Sequence, residues 1–170
     1  MEKEKSAGEL LQEKLLLNRK NIGMTADDAS EQAAQDFCEP YKAFLDACKM
    51  EREAVSWIVK KAREAGYAPF DPKAAYRPGD RVYYNNRGKA LILTTFGTRP
   101  LADGVRIMAS HIDSPRLDLK PNPLYEEAQI AFFKTHYYGG IKKYQWGAIP
   151  LALHGVIVKK DGETITCAIG

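Results

Sequence analysis

The sequence predicts an α/β fold: helices first, then a mixed sheet, then a β-rich segment. Three observations predict it. Up to about residue 65, apolar residues recur at helical three-to-four spacing. From Tyr67 onward, short apolar and β-branched runs alternate with clusters of Gly, Pro and Asn, as in strands joined by turns. One nearly continuous apolar run, residues 105–109, has the composition of a strand buried on both faces.

Ser6-Ala7-Gly8-Glu9 has the Ser-x-x-Glu form of a capping box. It predicts a short amphipathic helix that carries Leu10, Leu11, Leu15, Leu16 and Leu17, ends near Asn18 and packs on its own domain; an arm docked on a neighbouring subunit is the other reading. Asp27 and Asp28 suit the first turn of a second helix, which should run to about Phe37 and be interrupted by Pro40. A further helical stretch starts near Tyr41. Phe44, Leu45 and Cys48 form one apolar stripe, and Val55, Ile58, Val59 and Ala62 another. Gly66 suits the C′ position, and Lys60, Lys61 and Arg63 suit the negative end of the helix dipole.

Residues 70–80 are turn-rich. Residues 81–84 and 89–96 read as strands around Asn85-Asn86-Arg87-Gly88, a hairpin turn. Residues 96–104 read as loop, followed by the apolar strand 105–109. Ser114-Pro115 breaks that strand, and 116–120 alternates polar and apolar at period two. Residues 130–133, 151–158 and 164–169 are further strands, the last two joined by a turn at 160–162. This series is all β, so residues 1–118 and 119–170 read as two domains.

Composition narrows the function. The chain has 170 residues, 45% hydrophobic and 28% charged, which is ordinary for a globular domain with a core. A net charge of +3 is too small to point to nucleic acid or a membrane surface. Cys38, Cys48 and Cys167 are odd in number and far apart, which fits reduced thiols in a cytoplasmic protein. The first five residues lack the apolar core of a signal peptide, and no run approaches the ~20 apolar residues of a membrane helix. Tyr138, Lys142, Lys143, Tyr144 and Trp146 put cations beside aromatics, but the patch is small and reads as a packing loop, not a nucleic-acid platform.

The apolar run delivers Ser110, His111 and Asp113 where it stops. A strand end is rigid, and the carboxyl end of a strand is where open α/β sheets place their chemistry. His111 can offer a neutral ring nitrogen to a divalent metal, with Asp113 orienting the ring or ligating beside it. A strand-end cap with a turn aspartate satisfies the same spacing. His136 and His154 read as strand-surface histidines.

The segment from Ala109 to Leu124, with Ser110-His111-Ile112-Asp113-Ser114-Pro115 at its head, resembles the stretch that carries the first metal histidine in the aspartyl aminopeptidases. These are co-catalytic zinc aminopeptidases and include the yeast vacuolar aminopeptidase I type. Tyr137-Tyr138-Gly139-Gly140, with Trp146 after it, is similar to a second block of that family, and a looser likeness extends from about Tyr41 to the end. The resemblance implies that residues 1–118 are the N-terminal part of a catalytic domain and that 119–170 begin an inserted β-rich assembly domain. It implies a metal-dependent aminopeptidase that removes N-terminal, acidic residues from peptides, with zinc as cofactor and homo-oligomeric assembly. His111 would hold one metal, and Asp113 would be the catalytic residue that fixes its ring. In such a site two metals about 3.5–4 Å apart activate a shared water.

The same resemblance calls for a bridging aspartate, a Glu-Glu pair, a further carboxylate and a late histidine, none of which can be located. The one adjacent glutamate pair, Glu126-Glu127, falls where the family has no catalytic pair. The expectation is a chain incomplete for catalysis by itself. The alternative is a non-catalytic assembly or scaffold protein of the same ancestry.

Overall fold

The computed structural model describes residues 5–17 and 19–170. The chain divides into two compact units, Met1–Ala43 and Phe44–Gly170.

In the first unit, α1 (Ala7–Leu15) starts on the capping box read from the sequence. Glu9 takes hydrogen bonds from the Ser6 amide (2.7 Å) and hydroxyl (2.8 Å). The expected helix end at Asn18 lies outside the described residues, as do residues 1–4, on which most of the leader reading rests. Leu10, Leu11, Leu15, Leu16 and Leu17 are all exposed, contrary to the expectation that they pack on their own domain. The reason is local: every described residue before Phe44 is exposed, so this unit has no core to receive them. A second correction concerns α2 (Asp28–Ala47), which runs straight through Pro40 instead of stopping near Phe37. Proline costs the helix one amide bond, here the one to Asp36. Good helix formers stand farther along the helix, Ala33, Ala34 and Gln35 before the proline and Lys42 and Ala43 after it, and the exposed surface lets water reach the freed carbonyl.

The second unit is built on α3 (Glu51–Glu64). Glu53 reaches back to accept the amides of Lys49 (2.7 Å) and Met50 (3.2 Å), so the helix start is held by its own side chain. Its other end is a Schellman motif. Gly66 takes φ +83°, its amide reaches the Arg63 carbonyl, and the Tyr67 amide reaches that of Ala62. Ala54, Val55 and Ala62 are buried on one stripe of α3 and face β2 and β3. β1 (Ala68–Pro69) pairs parallel with β2 (Arg81–Asn86), which pairs antiparallel with β3 (Ala90–Thr95), giving the mixed sheet that the sequence predicted. Arg87 (φ 58°) and Gly88 (φ 69°) make the hairpin turn, and Asn85 Oδ1 accepts the Gly88 amide at 2.7 Å. Cys48, Val82 and Tyr83 complete the core, and the Tyr83 hydroxyl accepts Arg63 Nε at 2.9 Å. The turn-rich segment is held by a ring stack in which Tyr76 lies between Phe70 and Phe96.

Two antiparallel hairpins follow: β4 (Arg116–Glu127) with β5 (Ile130–Tyr138), and β6 (Leu153–Val158) with β7 (Thr164–Ile169). β4 shifts register between Leu119 and Leu124, where Pro121 and Pro123 have no amide for the ladder. Its turn is made by Ala128 and Gln129, both at positive φ, a conformation that neither residue type announces. β5 runs past the expected residue 133 to Tyr138, so Tyr137 and Tyr138 lie in a strand and not in a loop. A short α4 (Lys143–Trp146) interrupts the series read as all β.

The main departure is at residues 105–109. They form no ladder, and Val105 (63%), Ile107 (81%) and Met108 (99%) are exposed. A strand exists only through its partner, and among the described residues none pairs with this run.

Burial separates the core from this run. Val55 is 1% exposed, so Val55→Ala removes two buried methyl groups and should cost about 2 kcal/mol. Met108→Ala should leave stability within about 0.5 kcal/mol of the parent. Urea denaturation of the two variants checks the contrast.

Candidate functional site

The two predicted residues are brought together. His111 Nδ1 lies 3.0 Å from Asp113 Oδ1 and 3.0 Å from the Asp113 carbonyl oxygen. Both oxygens are acceptors, so Nδ1 carries a proton, and in the neutral ring Nε2 is the nitrogen with the lone pair. The His111 side chain is 85% exposed, so that nitrogen faces open space.

A carboxylate can orient a ring only if it is itself held. The Tyr138 hydroxyl donates to Asp113 Oδ2 at 2.5 Å, which leaves Oδ1 for His111. That bond, more than any other influence, holds the Asp113 carboxyl below its ordinary range; His111 lowers it further. The same bond raises the Tyr138 phenol, which keeps its donating proton. Tyr138 is at the end of β5 because the hairpin register pairs it with Arg116 at the start of β4. The Arg116 guanidinium lies over the Tyr138 ring at 4.1 Å from its centre. Arg116 in turn is gripped by Asp118 (2.6 Å) and by Glu51 in the first turn of α3 (3.1 Å). Partial burial opposes the charge on Arg116, and these two carboxylates outweigh it, so its pKa is raised. Gly139, at φ +70°, follows Tyr138 directly and passes close to Pro115.

The contacts of Tyr138 and Arg116 with this pair were not read from the sequence. Tyr138 stood in a block read as a packing loop, and Arg116 in one read only for its alternation. The available signal was the recurrence of both residues inside the two blocks that carry the family likeness. His136 and His154 do not join His111. His154 Nδ1 instead donates to Glu53 at 2.8 Å. Burial pushes the Glu53 carboxyl up, and this bond with the two helix-start amides more than offsets it, so its pKa is lowered.

A structural zinc takes four protein ligands and a catalytic one three. Among the described residues no three of His, Cys, Asp and Glu converge. These side chains therefore do not make a complete metal site. What they make is one oriented imidazole with its supporting carboxylate and tyrosine.

The family model of the aminopeptidase I zinc metalloproteases (M18) matches residues 44–169, and the chain belongs to this family. The protein named "Probable M18 family aminopeptidase 1" from Clostridium acetobutylicum is 48% identical over 92% of this chain and 34% of its own length. The crystal structure of aminopeptidase I from Borrelia burgdorferi B31 superposes with a TM-score of 0.82 at 39% identity, over 89% of this chain and 37% of that one. The M18 aminopeptidase structure from Thermotoga maritima gives 0.79 at 42% identity, over 91% and 33%. The chain thus spans about a third of the length of the curated relatives it matches. No helix among the described residues is long and apolar enough to cross a membrane.

Replacing Tyr138 with Phe removes the donor to Asp113 and keeps the ring under Arg116. The Asp113 carboxyl should then titrate higher, back toward the ordinary aspartate range. Because its native pKa is lowered, the stability it contributes is present at neutral pH and is lost as pH falls through that lowered value; the variant should keep only the smaller part of this dependence that does not come from Tyr138. A carbonyl-detected NMR titration of parent and variant measures both.

Proposed function

We propose that this chain serves a metal-dependent aminopeptidase that removes N-terminal, acidic residues from peptides, and that it carries one ligand of the metal site. The observation that supports this most is the geometry at His111, with Nδ1 committed to Asp113 and Nε2 left open. An imidazole held by a carboxylate through its other nitrogen is the usual form of a histidine zinc ligand. In this reading His111 would bind zinc, and Asp113 would fix its tautomer and direction. Zinc, when bound, would polarise the scissile carbonyl and activate water. Tyr138 and Arg116 would keep Asp113 in register. Residues 1–118 would belong to the catalytic domain, and 119–170, with both hairpins, to a β-rich domain through which subunits assemble.

A second reading is an assembly protein of the same ancestry that does no chemistry.

The native species isolated from cells distinguishes the two. Its intact masses after dissociation show whether a second polypeptide accompanies the chain. In an assay with peptides bearing N-terminal Asp or Glu, release should stop with a chelator and with His111→Ala, and should fall roughly 10–100-fold with Asp113→Asn. Release that survives the chelator and His111→Ala would overturn the metallopeptidase reading. An inactive native species of unchanged assembly in His111→Ala would establish the second.

A further inference from the structure

We propose that Glu51 of α3 is a positioning residue for the metal site: it sets the direction of the His111 ring through Arg116, Tyr138 and Asp113, without touching the ring. This role rests on the reading of His111 as a zinc ligand. It adds a residue that lies outside both blocks carrying the family likeness.

The groups meet at the Arg116 guanidinium, where each nitrogen has a different partner. Nε donates to Asp118 (2.6 Å), Nη1 to the Ser114 carbonyl (3.3 Å), and Nη2 pairs with Glu51 Oε1 (3.1 Å). Its carbon Cζ lies over the Tyr138 ring, 4.1 Å from the centre. Ser114 and Asp118 stand two residues to either side of Arg116, so both belong to its own stretch of chain and travel with it. Glu51 does not. It opens a helix whose start is closed by Glu53 on the amides of Lys49 and Met50, and whose Ala54 and Val55 are buried. Of the three partners, Glu51 alone ties Arg116 to the core.

From that fixed point the geometry runs outward. Tyr138 pairs with Arg116 in the hairpin register and donates to Asp113 Oδ2 at 2.5 Å, which leaves Asp113 Oδ1 for His111 Nδ1 at 3.0 Å. Without Glu51 the guanidinium keeps its two local partners and loses its registration to α3. The hairpin end is then free to shift, and the Tyr138 hydroxyl no longer meets Asp113 at a fixed distance. The ring proton, held on Nδ1 by Asp113, is then shared with Nε2, the nitrogen that a metal needs bare. The Arg116 and Glu51 side chains are 26% and 31% exposed, so water screens the pair and its loss costs little global stability. The effect is expected on the ring and not on the fold.

The test reads the ring itself. In the full chain, free of metal and at a pH where the ring is neutral, long-range proton–nitrogen NMR measures the ratio of the Nδ1–H to the Nε2–H form of His111, with His111→Gln assigning the signals. Glu51→Ala should lower that ratio roughly 2–10-fold, the equivalent of one hydrogen bond, while the amide spectrum of α3 and β2 stays that of the parent. Glu51→Gln keeps an oxygen for Arg116 Nη2 without the charge and should fall between the two. In a Tyr138→Phe background, where the path is already cut, Glu51→Ala should change nothing further. An unchanged ratio in Glu51→Ala would overturn the proposal. So would an equal fall in the Tyr138→Phe background, because Glu51 would then act on His111 directly, and so would a Glu51→Gln ratio as low as that of Glu51→Ala, because charge and not contact would then be at work. The ratio is read without zinc or substrate, so its failure stands apart from peptide release that survives His111→Ala, the result that defeats the zinc-ligand reading.

Discussion

The first turn of α3 is the constraint on which the second unit depends. Glu51 and Glu53 sit where the helix dipole favours negative charge and where orphan amides need acceptors. Each also does a second job. Glu51 holds Arg116 at the start of β4, and Glu53 holds His154 in β6, 101 residues away in sequence. One helical turn thus fastens the beginnings of both hairpins. Glu53 is committed on three sides, since it also closes the helix through Lys49 and Met50.

From Glu51 the restraint passes outward. Arg116 is fixed by two carboxylates and lies over the Tyr138 ring; Tyr138 grips one oxygen of Asp113, and the other oxygen faces His111. An exposed imidazole on a segment without strand partners is thereby given a direction. The ring is held by Asp113 of its own segment, and Asp113 is in turn held by the hairpin. This division of labour reconciles an irregular backbone at 105–113 with an ordered histidine.

What could be read from the sequence was whatever is decided within a few residues. The capping box at Ser6, the Schellman end at Gly66 and the Asn85-to-Gly88 turn are local chemistry, and each was legible. The α/β class followed from periodicity. The failures share a different cause. Pro40 predicts a break only if the neighbouring turns do not sustain the helix, and they do. Residues 105–109 have strand composition, but pairing needs a partner that composition does not name. Ala128 and Gln129 make a tight turn without Gly or Asn. Tyr138 and Asp113 meet across 25 residues, a distance over which spacing rules are silent. His111 and Asp113 were readable as a pair; what holds them was not.

The β4–β5 and β6–β7 ladders have a kinetic consequence. Each closes through a short turn, and such hairpins form in about 1–10 μs without reference to the rest of the chain. The loop-closure entropy of this unit is concentrated elsewhere, in bringing Arg116 and His154 back to a helix turn far upstream. Folding here then also has to bring two ribbons back to two carboxylates. The speed of that step is set by sequence separation and ionic strength more than by β propensity.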